Sequence, residues 1–116
     1  MKVTTTTRGF EMDHAIDAFV RNRLHVALKR LGVHVVAIDV FATDTSGPEG
    51  GVDKQVQIRV QLPQRQVVTV ETHHENLYAA IEKGAKRTRQ AVHHHLRRAR
   101  RIERERLQDL PAMRST

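Results

Sequence analysis

Basic side chains are concentrated in one segment of this 116-residue chain, and their chemistry is the binding of anions. Residues 76–106 hold ten of the twenty Lys and Arg residues but only three of the thirteen acidic residues, so the whole formal charge of +7 belongs to this segment. Residues 83–101 contain no acid at all. Guanidinium and ammonium groups at this density attract phosphates, so polyanions are the expected partners.

The same segment has helical spacing, with a narrow stripe of apolar and small residues between Leu77 and Ile102. The residues opposite or beside that stripe are Lys83, Lys86, Arg87, Arg89, His94, Arg97, Arg98, Arg101 and Arg104. A solvated surface helix normally mixes charges of both signs at i, i+4, which favours a binding role for this one-sided helix. A membrane surface is the competing partner, but it needs large apolar anchors, and the Ala, Gly and Thr residues of this stripe are poor ones.

Other site chemistries find little support in the sequence. The chain has no cysteine, which excludes disulfides, thiolate nucleophiles and zinc fingers. His93, His94 and His95 are consecutive, so on a helix they point about 100° apart and cannot converge on one metal ion. Neither a phosphate-binding GxxxxGK[ST] loop nor an HExxH motif is present. We therefore expect no enzyme activity, no cofactor, no metal and no small-molecule substrate.

Aromatic residues make up only 3% of the chain, with one Tyr and three Phe. Recognition by stacking of bases on an aromatic platform is therefore not expected. The composition predicts binding led by phosphate contacts, weakly specific for sequence and strongly dependent on salt. Folded RNA, recognised by its shape, fits this description.

The elements that position the basic segment follow from hydrophobic periodicity. We predict strands over residues 3–8, 33–43, 54–62 and 67–72, with the second strand buried on much of both faces. A helix over residues 14–31 should begin after an N-cap at Asp13 and end at Gly32, with Lys29 and Arg30 on its polar face. Residues 44–51 form a loop, and residues 63–65 form a turn. Clean alternation in residues 54–62 predicts a sheet with helices on one face and an open second face.

The segment from Thr72 to Glu75 matches a capping box, which predicts a second helix over about residues 75–106. Such a helix is longer than a four-stranded sheet, so its C-terminal half should either project from the domain or become ordered only on binding a partner. Residues 107–116 are expected to be a poorly ordered tail. The fold class is α+β with the order β-α-β-β-β-α, in one domain over residues 1–106.

The element order and the sequence from His74 to Ile81, HENLYAAI, resemble hibernation-promoting factors, also called ribosome-associated inhibitor A or sigma-54 modulation proteins. The signature HE[DN][ML]YAAI opens the second helix in that family. Basic residues at Arg8, Arg23 and Arg87 add to the resemblance, which covers about residues 1–100. The family implies a domain similar to double-stranded-RNA-binding folds.

The resemblance implies a cytoplasmic protein that binds the small ribosomal subunit in the mRNA and tRNA channel, at the A and P sites, and blocks translation in stationary phase or stress. By position, the resemblance implies that Arg8, Arg23, Lys29, Lys83, Lys86 and Arg87 face ribosomal RNA. The basic faces of the two helices add Arg30, Arg89, His94, Arg97, Arg98 and Arg101 as predicted RNA-binding residues. The expected protein is a short form without the family's second domain, and it is monomeric when free. The alternative is a structured-RNA-binding or RNA-chaperone module that acts away from the ribosome.

Overall fold

The computed structural model of the protein describes residues 1–31, 34–44 and 54–108. The chain forms β1 (Lys2–Arg8), α1 (His14–Leu28), β2 (Ala37–Asp44), β3 (Lys54–Leu62), β4 (Gln66–His74) and α2 (Leu77–Gln108). Short 3-10 turns follow α1 at Lys29–Leu31 and join β3 to β4 at Pro63–Arg65. The predicted α+β class and the order β-α-β-β-β-α are confirmed. The predicted stop at Gly32 and all of the predicted loop except Asp44, which ends β2, lie outside the described residues.

One four-stranded sheet organises the domain, with the strands in the order β1-β2-β3-β4. β1 and β2 are parallel, as expected when a helix crosses between two strands, and the other two pairs are antiparallel. β3 and β4 form a tight hairpin in which Leu62 pairs with Gln66. β1 and β4 are therefore the two edges of the sheet.

Alternation along the strands builds a single core on the helical side of the sheet. The side chains buried there from β2, β3 and β4 are Ile38, Val40, Ala42, Val56, Ile58, Val60, Val68, Val70 and Thr72. The prediction that β2 is buried on both faces was wrong, because Phe41 on its second face is 40% exposed. β2 also begins at Ala37 rather than residue 33. The apolar sequence of β2 could not by itself show that Phe41 would be exposed on the second face of the strand.

α1 begins as predicted. The side chain of Asp13 caps it, with Oδ1 accepting a hydrogen bond of 2.8 Å from the backbone N–H of Ile16. One face of α1 is buried through Ile16, Val20, Leu24 and Leu28. The helix proper ends at Leu28, and the 3-10 turn carries the chain on to Leu31.

α2 starts differently from the capping-box prediction, which was wrong. Thr72 lies within β4, paired with Val56, and its buried hydroxyl donates a 2.9 Å hydrogen bond to the carbonyl oxygen of Ala80. Asn76 provides the cap instead, since its Oδ1 accepts from the N–H of Ala79 at 3.2 Å. The strand ladder and the burial of Thr72 outweigh its local capping preference.

Small residues let α2 lie close to the sheet. A Cβ atom added to Gly84 would lie 2.9 Å from Cδ1 of Ile58 and 3.4 Å from Oγ1 of Thr72. Ala85 and Thr88 continue this contact, and Thr88 donates its hydroxyl to the carbonyl oxygen of Gly84 at 2.7 Å. The small residues of the stripe therefore produce a close helix–sheet contact.

α2 continues well past the sheet. Val92 is its last buried residue, Leu96 and Ala99 are half-buried, and residues 100–108 are all exposed. At about 1.5 Å per residue the whole helix is roughly 48 Å long. The predicted projection is thus confirmed, and we call residues 93–108 the arm. The helix runs two residues further than expected, and residues 109–116 lie outside the described part of the chain.

Replacement of Gly84 by Leu should lower the free energy of unfolding by roughly 1–3 kcal/mol, because the new side chain overpacks a closed contact. Ile58 is 1% exposed and has little room to move away. The matched control is Gln90→Leu, an exposed position on the same helix, for which a change within about 0.5 kcal/mol is expected. Urea denaturation measures both variants, and equal midpoints would show that the contact is not tight.

Candidate nucleic-acid interface

Packing of α2 on β3 and β4 turns its basic residues to solvent. The buried positions Ile81, Gly84, Ala85, Thr88 and Val92 face the sheet and the core. The predicted residues of α2 are all exposed: Lys83, Lys86, Arg87, Arg89, His94, Arg97, Arg98 and Arg101. We call these residues the cationic face of α2. None of them makes an ion pair closer than 3.9 Å within the described residues, so their charge is available for an anionic ligand.

On one side the cationic face adjoins the end of α1. Lys86, Arg89, Gln90 and His93 line a groove together with Leu31, the last residue of the 3-10 turn after α1. Lys29 and Arg30 in that turn are exposed. The structure therefore brings the basic end of α1 near the middle of α2, although they are more than fifty residues apart in the sequence.

On the opposite side, the cationic face adjoins the edge strand β4. Nη1 of Arg87 lies 3.5 Å from the carbonyl oxygen of Glu71, a long hydrogen bond. Arg98 lines a groove with Gln64 and Gln66 at the β3–β4 turn. The cationic face of α2 therefore lies between the end of α1 on one side and the edge strand β4 on the other.

The arm carries the densest charge. His94, Arg97, Arg98, Arg101 and Arg104 line one groove, which has no acidic residue in its lining. Arginine side chains bind phosphate oxygens in bidentate fashion, and successive arginines along a helix can follow a phosphate backbone. Arg104 was placed on this face by its spacing but was not among the predicted contacts, and the structure adds it to the group.

Arg23 is held in the seam between the two helices. Its guanidinium carbon lies 5.5 Å from the ring centre of Phe19, and Nη1 lies 3.9 Å from Oε1 of Glu82. Phe19 in turn meets the ring of Tyr78 edge-on at 5.0 Å. The Arg23 side chain is 41% exposed, so a ligand on the α1 side of the cationic face could reach it.

Arg8 lies apart from the other predicted contacts. It ends β1, at the edge of the sheet opposite β4, and pairs with Thr43. With strands about 4.8 Å apart, three strand spacings separate it from the edge that carries α2. The structure therefore does not join Arg8 to the cationic face, and only a partner that spans the domain could contact both.

Two further site types are absent from residues 1–31, 34–44 and 54–108. That part of the chain has no group of three His, Asp or Glu side chains arranged to hold a metal ion. No helix in it is long and apolar enough to cross a membrane.

Comparison with known proteins gives a consistent assignment. The family described as "Sigma 54 modulation protein / S30EA ribosomal protein" matches residues 3–100. The fold is similar to that of the Thermus thermophilus Protein Y N-terminal domain, with 23% identity over 82% of this chain and 99% of that chain and a TM-score of 0.68. A ribosomal subunit interface protein from Coxiella burnetii has 14% identity over 83% of this chain and 99% of that chain, with a TM-score of 0.65. No curated protein matches the chain.

These matches confirm the resemblance inferred from the signature beginning at His74 and from the element order. The family match spans nearly the range expected from the sequence, and it includes α1, the whole sheet and the larger part of α2. The two solved structures support the four-stranded α+β fold. The part of the arm after residue 100 lies beyond the family match.

Like charges in the arm should weaken its helix. Arg97 and Arg101 are one i, i+4 pair, and Arg100 and Arg104 are another. The variant Arg97→Glu makes the pair with Arg101 favourable, and also the i, i+3 pair with Arg100, each worth about 0.2–0.5 kcal/mol in helix stability. Circular dichroism should show more helix at low salt, and the gain should vanish near 1 M salt through screening. A gain that persists in high salt would contradict an electrostatic cause.

Proposed function

Because the chain belongs to the sigma 54 modulation protein / S30EA ribosomal protein family, we propose that it binds the small ribosomal subunit in the mRNA and tRNA channel and blocks translation. The family is one of ribosome-associated modulators rather than a class of enzymes. The observation that carries the proposal is the cationic face of α2, which the family's fold presents to solvent beside the basic end of α1.

The family description and the name of one similar structure support a ribosomal partner. That structure is a ribosomal subunit interface protein, and the other is the N-terminal domain of Protein Y. Ribosomal RNA is a folded polyanion, and the cationic face offers Arg and Lys groups without the aromatic platform that single strands require. The chemistry of the surface and the family therefore point to the same partner.

The mechanism that follows is occupation of a site. Arg and Lys side chains contact phosphates of ribosomal RNA, and release of counterions from the RNA supplies much of the binding free energy. The closely packed domain then fills space that mRNA and tRNA need. Inhibition of this kind needs no catalytic group, cofactor or second ligand. As the resemblance to the family implies, we propose that the protein acts in the cytoplasm, as a monomer, in stationary phase or stress.

A second candidate is a module that binds structured RNA away from the ribosome. It is favoured by the nature of the cationic face, since phosphate contacts alone carry little sequence information. That function predicts similar affinity for small subunits and for arbitrary duplex RNA, and no protection of decoding-site nucleotides in footprinting. Ribosomal binding predicts protection at those nucleotides.

The direct test is sedimentation of the purified protein with small ribosomal subunits through a sucrose gradient at low salt. The wild type should move with the subunits, whereas Lys83→Glu/Lys86→Glu should stay at the top of the gradient, because two phosphate contacts become repulsive. In a plot of log K against log salt concentration, the double variant should also have a shallower slope, and the difference should equal the contribution of about two phosphate contacts.

The matched control is Lys2→Glu/Arg59→Glu, which changes the net charge equally at exposed positions on β1 and β3. It should cosediment nearly as well as the wild type. If both variants lose binding equally, overall charge rather than the cationic face determines affinity, and the proposed surface is wrong. If the wild type itself stays at the top, the ribosomal proposal fails.

A further inference from the structure

The underside of the arm forms a second groove, which shares only Arg98 with the cationic face. Where α2 passes the end of the sheet, the β3–β4 turn lies beneath it. The groove between them has a volume of about 510 Å³, within the range of about 300–1,000 Å³ typical of ligand sites. Its lining residues are Gln64, Gln66, His95, Arg98, Ala99, Ile102, Glu103 and Arg106.

The turn that forms one wall has an unfavourable backbone. Gln64 has φ 63° and ψ 33°, and Arg65 has φ 62°, so two consecutive residues with side chains adopt the left-handed region. Glycine or asparagine would hold this conformation more easily. Left-handed residues are usual in the tight turn of a β-hairpin, and here that turn presents Gln64 to the groove.

One hydrogen bond holds the turn and the arm together. Nε2 of His95 on α2 lies 2.6 Å from Oε1 of Gln66 at the start of β4. With an amide oxygen as its partner, Nε2 of His95 is the donor. The bond uses the oxygen of the Gln66 amide and leaves its NH₂ group without a hydrogen bond among the described residues. The hydrogen bond to His95 therefore fixes the wall of the groove that the β3–β4 turn forms, and the NH₂ group of Gln66 in that wall can donate to a ligand.

The chemistry of this groove differs from that of the adjoining one. The groove lined by His94, Arg97, Arg98, Arg101 and Arg104 has four arginines and no acidic residue, so it suits phosphates. The underside groove adds the carboxylate of Glu103, which repels phosphate but accepts hydrogen bonds from the amino group of a nucleobase. It also has an apolar surface at Ala99 and at Ile102, which is 49% exposed.

Arg98 lines both grooves. An RNA backbone whose phosphates bind along the groove that starts at His94 and ends at Arg104 therefore reaches the underside groove at Arg98. There a base that has left its stack would meet an apolar surface, an amide from Gln64 and the Glu103 carboxylate. Arg98 and Arg106 would hold the phosphates on either side of it, since phosphates position an RNA and base edges specify it.

We propose that the underside groove binds one unstacked nucleotide of a folded RNA, such as a bulged base. The inference rests on the proposed function for its RNA partner, but it adds a separate site, residues outside the cationic face and a preference for unpaired bases. The occupant is RNA rather than a second copy of the chain because the α2 side of the groove carries Arg98 and Arg106, and two copies packed through this groove would bring these like charges together.

The test compares two labelled RNA hairpins by fluorescence anisotropy, one fully paired and one with a single bulged nucleotide. The wild type should bind the bulged hairpin about tenfold more tightly, which corresponds to about 1.4 kcal/mol. The variants Gln64→Gly and Ile102→Ala should bind both hairpins equally and keep wild-type affinity for the paired one. Neither variant changes the net charge, so a loss of preference cannot arise from weaker general electrostatics.

A folding check accompanies Gln64→Gly, and a matched control variant accompanies Ile102→Ala. Gln64→Gly should fold at least as well as the wild type because glycine relieves the left-handed strain, and thermal unfolding checks this. Leu107→Ala is the control for Ile102→Ala, since Leu107 is exposed on the same helix but does not line the groove. It should retain the tenfold preference.

The inference is wrong if the wild type shows no preference for the bulged hairpin, or if both groove variants keep that preference. It is also wrong if sedimentation equilibrium shows a dimer of the free protein that Ile102→Ala dissociates, because the groove would then be an interface between copies. Cosedimentation with small subunits separates this result from the ribosomal proposal. If the wild type cosediments with small subunits but does not prefer the bulged hairpin, the groove proposal fails and the ribosomal proposal stands. If it prefers the bulged hairpin but does not cosediment, the ribosomal proposal fails and the groove proposal stands.

Discussion

The close contact between α2 and strands β3 and β4 determines how the rest of the molecule is presented. Gly84 brings the helix backbone toward Ile58 and Thr72, and Ala85, Thr88 and Val92 extend the contact along the same seam. A helix held this closely cannot rotate about its axis without burying charged groups, which is costly unless each is paired. The seam therefore sets which residues of α2 face the core and which face a ligand. The exposed position of every predicted cation on α2 follows from it.

The second constraint is that α2 is longer than the sheet beneath it. Over the sheet, the buried seam and the cationic face share the helix, and packing stabilises a segment whose like charges would otherwise oppose its folding. Beyond Val92 no residue of α2 in the described part of the chain is fully buried, Leu96 packs at the edge of the core, and His95 contacts Gln66 of the sheet. The same helix then offers two surfaces of different chemistry. One groove is lined by four arginines and His94, and the other combines arginine, amide, carboxylate and apolar groups.

Much of the fold could be predicted from the sequence because its signals are local and periodic. Alternation in β3 gave its bounds correctly, and Asp13 caps α1 as its position indicated. The errors occurred where a local preference competed with a distant contact. Thr72 followed a capping pattern, but pairing with Val56 and burial beneath α2 keep it in a strand. The apolar run of β2 resembled a strand covered on both faces, whereas the structure leaves Phe41 open on one face.

The sequence by itself determined the type and spacing of the charged residues, and with them the one-sided cationic helix and the family signature beginning at His74. These are properties of consecutive residues and of helical periodicity, so they needed no knowledge of the remainder of the chain. Only the tertiary structure decided which groups meet. It placed the end of α1 beside Lys86 and Arg89, separated Arg8 from them by the width of the sheet, and brought the β3–β4 turn under the arm. Contacts of this kind depend on strand order and on the overhang of α2, which arise from packing between distant segments and leave no pattern in either segment alone.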